Sequence, residues 1–190
     1  MLSKLLKVSF DKYFDAPIEA WETFAGFCEP ISFEKGEIIK RQNCAERYFF
    51  FILSGSAGLF LWKENNFVCL DFAFDNDFCC DYMSLLMKQP TPLQLVSLEK
   101  SNMVRISAEN FNALSQTPFG QIIARISAEV SFIDKQQQQI DLLTQSAESR
   151  YENLLTKFPG IHNRIAQMHI ASYLGITPQS LSRIRKSFGR

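Results

Sequence analysis

The stretch from Gln167 to Lys186 constrains the chain more than any other, because its turn chemistry sets two helices and the angle between them. Ile170, Ala171 and Leu174 recur at helical spacing, and Gly175 follows where a helix end favours a residue that tolerates a left-handed backbone. The first helix is therefore expected to stop at Leu174. Thr177 offers a hydroxyl to cap a second helix, and Pro178 takes its first position, where the missing N–H costs nothing. Leu181, Ile184 and Phe188 share one face of that helix, while Gln179, Ser180, Ser182, Arg183 and Lys186 fall on others. The wet side thus carries amide, hydroxyl and cationic donors.

Such a pair resembles the helix-turn-helix. Ala171 stands at its small position, Gly175 at its turn, Ile176 at its buried turn site, and Leu181 and Ile184 at the packing sites of the recognition helix. An ordinary helical hairpin closing a core is the plainer alternative. Charge separates the two. From Arg150 to Arg190 seven Lys or Arg face one acid, Glu152, so this segment is +6 and the first 149 residues are −6 in a chain of zero net charge. A basic third that coincides with the helix pair suits phosphate contact.

At 190 residues and 46% hydrophobic content, the chain can build one large domain or two small ones. The longest apolar runs, such as Tyr48–Leu53, are far shorter than the roughly 20 residues of a membrane span, and the start lacks an extended apolar run and cleavage site. A cytoplasmic, non-membrane protein is expected. Cys28, Cys44, Cys69, Cys79 and Cys80 are odd in number, with no C-x-x-C pair, which argues for free thiols in a reducing compartment. An iron–sulfur site is the sharper alternative, set against wide and irregular spacing. No metal-ligand run is visible, and no cofactor is expected with certainty. Neither His162 nor His169 sits in a triad pattern and no glycine-rich phosphate loop occurs, so an enzyme is not expected.

Residues 1 to about 28 place Phe10, Tyr13, Ile18, Trp21, Phe24 and Phe27 three and four apart, predicting one or two helices broken near Pro17. From Cys28 to Ser107, short apolar runs alternate with Gly, Pro, Asn and Asp, including a turn at Asn65-Asn66. This predicts strands at 31–33, 37–40, 48–53, 57–62, 67–74, 93–98 and 103–106, an antiparallel sandwich or barrel. Ile123, Ile126, Val130, Ile133, Gln137, Ile140 and Thr144 then alternate at three and four, the seam of a coiled coil. A single amphipathic helix packed on its own sandwich is the alternative. Thr144–Ser149 is expected to be a hinge, with Ser146 starting a helix that carries Tyr151, Leu154, Leu155 and Phe158.

The order of these pieces is similar to a known family. Phe33-Glu-Lys-Gly-Glu-Ile-Ile-Lys40, then Tyr48 to Gly58, then Asp81 ahead of a short apolar helix and Pro90, resembles the cyclic-nucleotide-binding jelly roll, with Gly36 and Gly55 at its turns. With the helix-turn-helix added, the chain resembles the Crp/Fnr superfamily of bacterial transcription regulators from about residue 30 onward. The fold implied is α+β: an N-terminal antiparallel β jelly roll with a helical lead-in at 1–117, a long dimerisation helix and hinge at 118–145, and an all-α helix-turn-helix domain at 146–190. The resemblance makes Ile123, Ile126, Val130, Ile133, Gln137 and Ile140 dimer contacts. It implies a homodimer on double-stranded DNA and leaves room for RNA polymerase as a further partner.

The family's nucleotide cassette corresponds to Phe78–Pro90, with Cys80 at the glycine position and Asp81 at the acid position. Cys80, Asp81, Tyr82, Lys88 and Thr91 are therefore the candidate effector-pocket residues. The phosphate half is missing: Thr91-Pro-Leu-Gln-Leu-Val-Ser97 holds no arginine, and Pro92 removes a backbone donor. A buried phosphate would lose charge-assisted contacts of about 1.5–3 kcal/mol each, which argues against cyclic AMP. Another small effector and a cavity simply filled by Phe and Met both stay open.

On the recognition helix, Thr177, Pro178, Gln179 and Arg183 fall at the family's DNA-touching positions. Arg183 suits guanine and Gln179 suits adenine. Ser182, Arg185 and Lys186, with Thr177, read as phosphate contacts, and Arg164 and His169 as weaker ones. A sensory or protein-interaction module whose helix-turn-helix no longer binds DNA is the alternative function.

Overall fold

The computed structural model describes residues 1–63 and 66–188. Asn65, in the expected turn, and Arg190, among the expected cations, lie outside the described residues. Two lead-in helices, α1 (Leu2–Phe10) and α2 (Ile18–Gly26), are separated by residues 11–17, so the break falls near Pro17 as expected. Leu6, Phe10 and Trp21 are buried against Phe51 and Val104 of the roll, at about 1.5–3 kcal/mol for each large apolar side chain.

The roll consists of two four-stranded antiparallel sheets. One has the order β1-β8-β3-β6, from Glu29–Phe33, Ser101–Ser107, Tyr48–Ser54 and Phe78–Cys79; the other has the order β2-β7-β4-β5, from Ile38–Lys40, Leu93–Ser97, Ala57–Lys63 and Asn66–Ala73. Phe33, Phe50, Ile52, Leu95 and Met103 fill the space between them. Gly55, at φ +112°, turns β3 into β4 beside Ser101; a Cβ there would stand 2.2 Å from the Ser101 Oγ, so no other residue fits without a shift. The two-residue β6 is the one strand that the apolar runs did not reveal. It is too short to carry a pattern, and it exists because Phe78 and Cys79 pair with Phe51 and Phe50.

Helix α3 (Tyr82–Met87) follows β6, capped by Asp81, whose carboxylate accepts from the Ser84 N–H. After β8 come α4 (Ala108–Leu114), the 27-residue α5 (Pro118–Thr144), α6 (Ala147–Lys157), a 3₁₀ turn at Ile161–Asn163, α7 (Gln167–Tyr173) and α8 (Pro178–Ser187). Ser107, Thr117, Ser146 and Thr177 each accept from an N–H three residues on, so four of these helices start where a hydroxyl satisfies an otherwise orphan donor. The link between α5 and α6 is only Gln145-Ser146. Among the described residues no helix is long and apolar enough to cross a membrane.

Candidate nucleic-acid interface and ligand cassette

Helix α7 ends in a double closure. Gly175, at φ +67°, lets its own N–H reach the Ser172 carbonyl and the Ile176 N–H reach the Ala171 carbonyl. Arg150, on α6, fixes the same turn by donating to the Leu174 carbonyl at 2.9 and 3.2 Å and to the Gln145 carbonyl at 2.6 Å. Ile170, Ala171, Leu174, Leu181 and Ile184 are buried around Tyr151 and Leu154, as expected of a helix-turn-helix pair. That core continues into the roll through Phe60, Cys69, Phe72 and Leu98. The Ser172 hydroxyl accepts from the Cys69 N–H at 2.9 Å and donates to the Phe67 carbonyl at 3.3 Å, so α7 covers the free edge of β5.

Opposite the buried face of α8, Gln179, Ser182, Arg183 and Lys186 lie together on an exposed face, with Thr177 and Pro178 exposed at its start. The Thr177 hydroxyl is engaged as the cap of Ser180. Among the described residues the only hydrogen bond of Arg183 is a long 3.4 Å donation to the Ser180 hydroxyl. Arg185 differs from the expectation: 3.6-residue periodicity turns it onto the flank, where it is half-buried with a buried Nε that has no partner among the described residues.

Two weaker phosphate candidates are also corrected. Arg164 donates to Glu99 at 2.5 and 2.9 Å, to Asp75 at 2.6 Å and to the Gly55 carbonyl at 2.9 Å, clamping the 3₁₀ segment to the roll. Burial works the other way, yet the Gly55 N–H and the Arg164 guanidinium hold Asp75 below the usual carboxylate range. His169 sits 5.0 and 5.1 Å from the Phe60 and Phe67 rings, where burial lowers its pKa. With Arg150 and Arg164 engaged internally, the outward positive charge of this region is smaller than its sequence total.

The cassette is closed on itself. Lys40 and Asp81 are both buried, and the Lys40 Nζ donates to Asp81 Oδ2 at 2.6 Å, to the Thr91 hydroxyl at 2.8 Å and to the Leu93 carbonyl at 2.9 Å. Thr91 also donates to Asp81, and Glu46 accepts from the Asp81 N–H at 3.1 Å and from the Arg47 and Tyr48 N–H groups. Burial raises the Glu46 pKa against those hydrogen bonds. Cys80, Asp81 and Tyr82 line a cleft of about 1240 Å³ between the roll and α5, whereas Lys88 and Thr91 do not line it. Lys88 is exposed and left-handed at the α3 end; Thr91 is buried in the Lys40 network. Sequence reading missed Lys40 as the cassette's cation, since 41 residues separate it from its partner.

Helix α5 has no fully buried residue and two apolar faces. Ile123 and Ile126 pack on the lead-in helices and Val130 lines the cleft. Ile133 and Ile140 are exposed with Phe132 and Leu143, the last 79% exposed. Gln137 is exposed and donates to Asp141 at 2.7 Å. The free apolar face is therefore rotated from the expected seam, because the lead-in helices occupy part of it.

All five cysteines are free, and burial pushes the Cys28 thiol up to about 11 and raises Cys69, Cys79 and Cys80 as well. Among the described residues no group of three or more His, Cys, Asp or Glu could hold a metal.

Residues 30–117 match the family model of the cyclic nucleotide-binding domain. The chain also superposes on the c-di-GMP-responsive global regulator CLP of Xanthomonas campestris, at 17% identity, 91% of this chain, 92% of that one and a TM-score of 0.69. The architecture matches the Crp/Fnr-like fold. FixK2 of Bradyrhizobium japonicum gives a TM-score of 0.71 at 15% identity over 85% of this chain and 84% of that one. The catabolite activator protein of Thermus thermophilus gives 0.58 at 19% identity over 95% and 86%. At these identities the likeness is one of fold. A comparison with curated proteins gives no match.

Proposed function

We propose that the chain is a homodimeric, sequence-specific DNA-binding transcription regulator of the Crp/Fnr type that acts in the cytoplasm, is not an enzyme and does not use cyclic AMP. The observation that carries this reading is the exposed Gln179–Ser182–Arg183–Lys186 face of α8, held outward by the burial of Leu181 and Ile184. Arg183 would bond a guanine bidentately and Gln179 an adenine, while Ser182, Lys186 and the α8 N-terminus set register on phosphates. Arg185, on the flank, would reach only the edge of such a contact.

The exposed Phe132, Ile133, Ile140 and Leu143 supply the surface for a second copy. Two recognition helices would then read two half-sites one helical turn apart. RNA polymerase would be a further partner of such a regulator. The reading against cyclic AMP rests on Thr91 and Asp81 being engaged by Lys40, on the lack of an arginine in Thr91–Ser97, and on Lys88, the other cassette cation, being exposed.

Selection of binders from randomised duplexes tests the reading. Enrichment of a two-fold symmetric site with half-sites about 10 base pairs apart is expected. Failure to enrich any sequence, together with a stable protein partner for the α8 face, would favour the interaction-module alternative. Millimolar cyclic AMP is expected to leave the melting temperature unchanged; a saturable rise would overturn that part.

A further inference from the structure

Helix α5 leaves one stripe uncovered in the protomer. Glu129, Ile133, Gln136, Ile140 and Leu143 are all exposed and follow one another by alternating steps of four and three residues, the core positions of a heptad repeat. From residue 130 to 144 neither the stripe nor its flanks carry a charge. Val130, Phe132, Gln137, Gln139 and Thr144 stand beside it, while Asp134, Lys135 and Asp141 fall outside. Such a stripe suits an identical copy, which brings no like charge against itself, better than a partner selected by charge.

The middle of the stripe is polar. Gln136 makes no hydrogen bond among the described residues, whereas Gln137 donates to Asp141 at 2.7 Å and Gln138 to the Leu70 carbonyl at 3.2 Å. Glu129 closes the N-terminal end of the apolar run, ion-paired to Arg125 at 2.8 Å.

The two directions of pairing treat Gln136 differently. In a parallel, in-register pair it meets Gln136 of the second copy, and each amide offers the other both a donor and an acceptor. In an antiparallel pair that sets Ile133 against Leu143, each Gln136 meets Ile140, and both amides lie unpaired in apolar layers. Isoleucine at 133 and 140 with Leu143 between turns also favours two parallel strands.

We infer that Gln136 sets the register of the homodimer: the two copies of α5 pair in parallel, with their Gln136 side chains hydrogen-bonded across the two-fold axis. This rests on the homodimer reading above. Both C-terminal domains then lie at one end of the pair, since only Gln145-Ser146 links α5 to α6.

Disulfide mapping and sedimentation of the full chain make the test. Ile133→Cys and Leu143→Cys, each oxidised alone, should form intermolecular disulfides at the new thiol, identified by peptide mass against the five native cysteines. A mixture of the two, one of them ¹⁵N-labelled, should give no 133–143 disulfide. Gln136→Leu should tighten the dimer and admit that crossed link, while Gln136→Glu, which sets two carboxylates face to face, should dissociate it. These side chains are exposed in the protomer, so its own core is unchanged. A crossed link with Gln136 in place, absence of the like-to-like links, or a dimer that survives Gln136→Glu would overturn the register and leave the homodimer standing. A protein that stays monomeric at every concentration would overturn both.

Discussion

Two polar constellations in this molecule use the same kinds of residue to opposite ends. In the cassette, Lys40, Asp81, Thr91 and Glu46 satisfy one another in the interior, so the donors that a cyclic phosphate would need face protein atoms. On α8, Gln179, Ser182, Arg183 and Lys186 face solvent and find almost nothing to bond among the described residues. A buried charge persists only when paired, whereas an exposed one is cheap to leave free. The cassette therefore reads as structure, and the α8 face as a surface kept ready for a partner.

The largest effect that would sharpen this contrast is expected in the cassette. Lys40→Met strips Asp81 of its cation and should cost about 3–5 kcal/mol in chemical denaturation, while Lys40→Met with Asp81→Asn should recover much of that loss. If Lys40→Met alone is neutral, the network is not structural. Next comes α5. Leu143→Glu should dissociate a dimer in sedimentation without lowering monomer stability, whereas Ile126→Glu should destabilise the fold itself, because Ile126 packs on the lead-in helices. Arg183→Ala should leave stability within about 0.5 kcal/mol of wild type yet remove about 1–3 kcal/mol of base discrimination in competition binding.

The smallest expected effect is a pH dependence at His169. Its folded pKa lies below the ordinary 6.5, so the docked state disfavours the proton that the unfolded chain accepts. Stability linked to His169 is thus intact above 6.5 and is lost as pH falls from there through the folded value. Melting curves from pH 7.5 to 5.5 should fall less steeply for His169→Gln than for wild type.

Much of this was legible in the chain, and the failures have physical causes. The Gly175-Ile-Thr-Pro178 turn, the hydroxyl caps and the strand runs act through neighbours within a few residues, so their sequence signals survive. At Ile38-Ile39-Lys40 hydropathy places the lysine outward; instead Ile38 is 44% exposed and Lys40 is buried, because Asp81 compensates the charge from 41 residues away. On α5 the three-and-four spacing was sound, but a helix with two apolar faces does not announce which belongs to its own domain. Arg164 reads in the sequence as a phosphate contact, but Glu99, Asp75 and the Gly55 carbonyl, all distant in the chain, engage it.

The central claim is that the α8 face engages a polyanion. Fluorescence anisotropy on genomic DNA fragments across a salt series, for wild type and Arg183→Ala, tests it most directly. Affinity should fall steeply with salt, linearly in the logarithms, and the substitution should weaken it. Salt-insensitive binding, or equal affinity for the two proteins, would contradict the account.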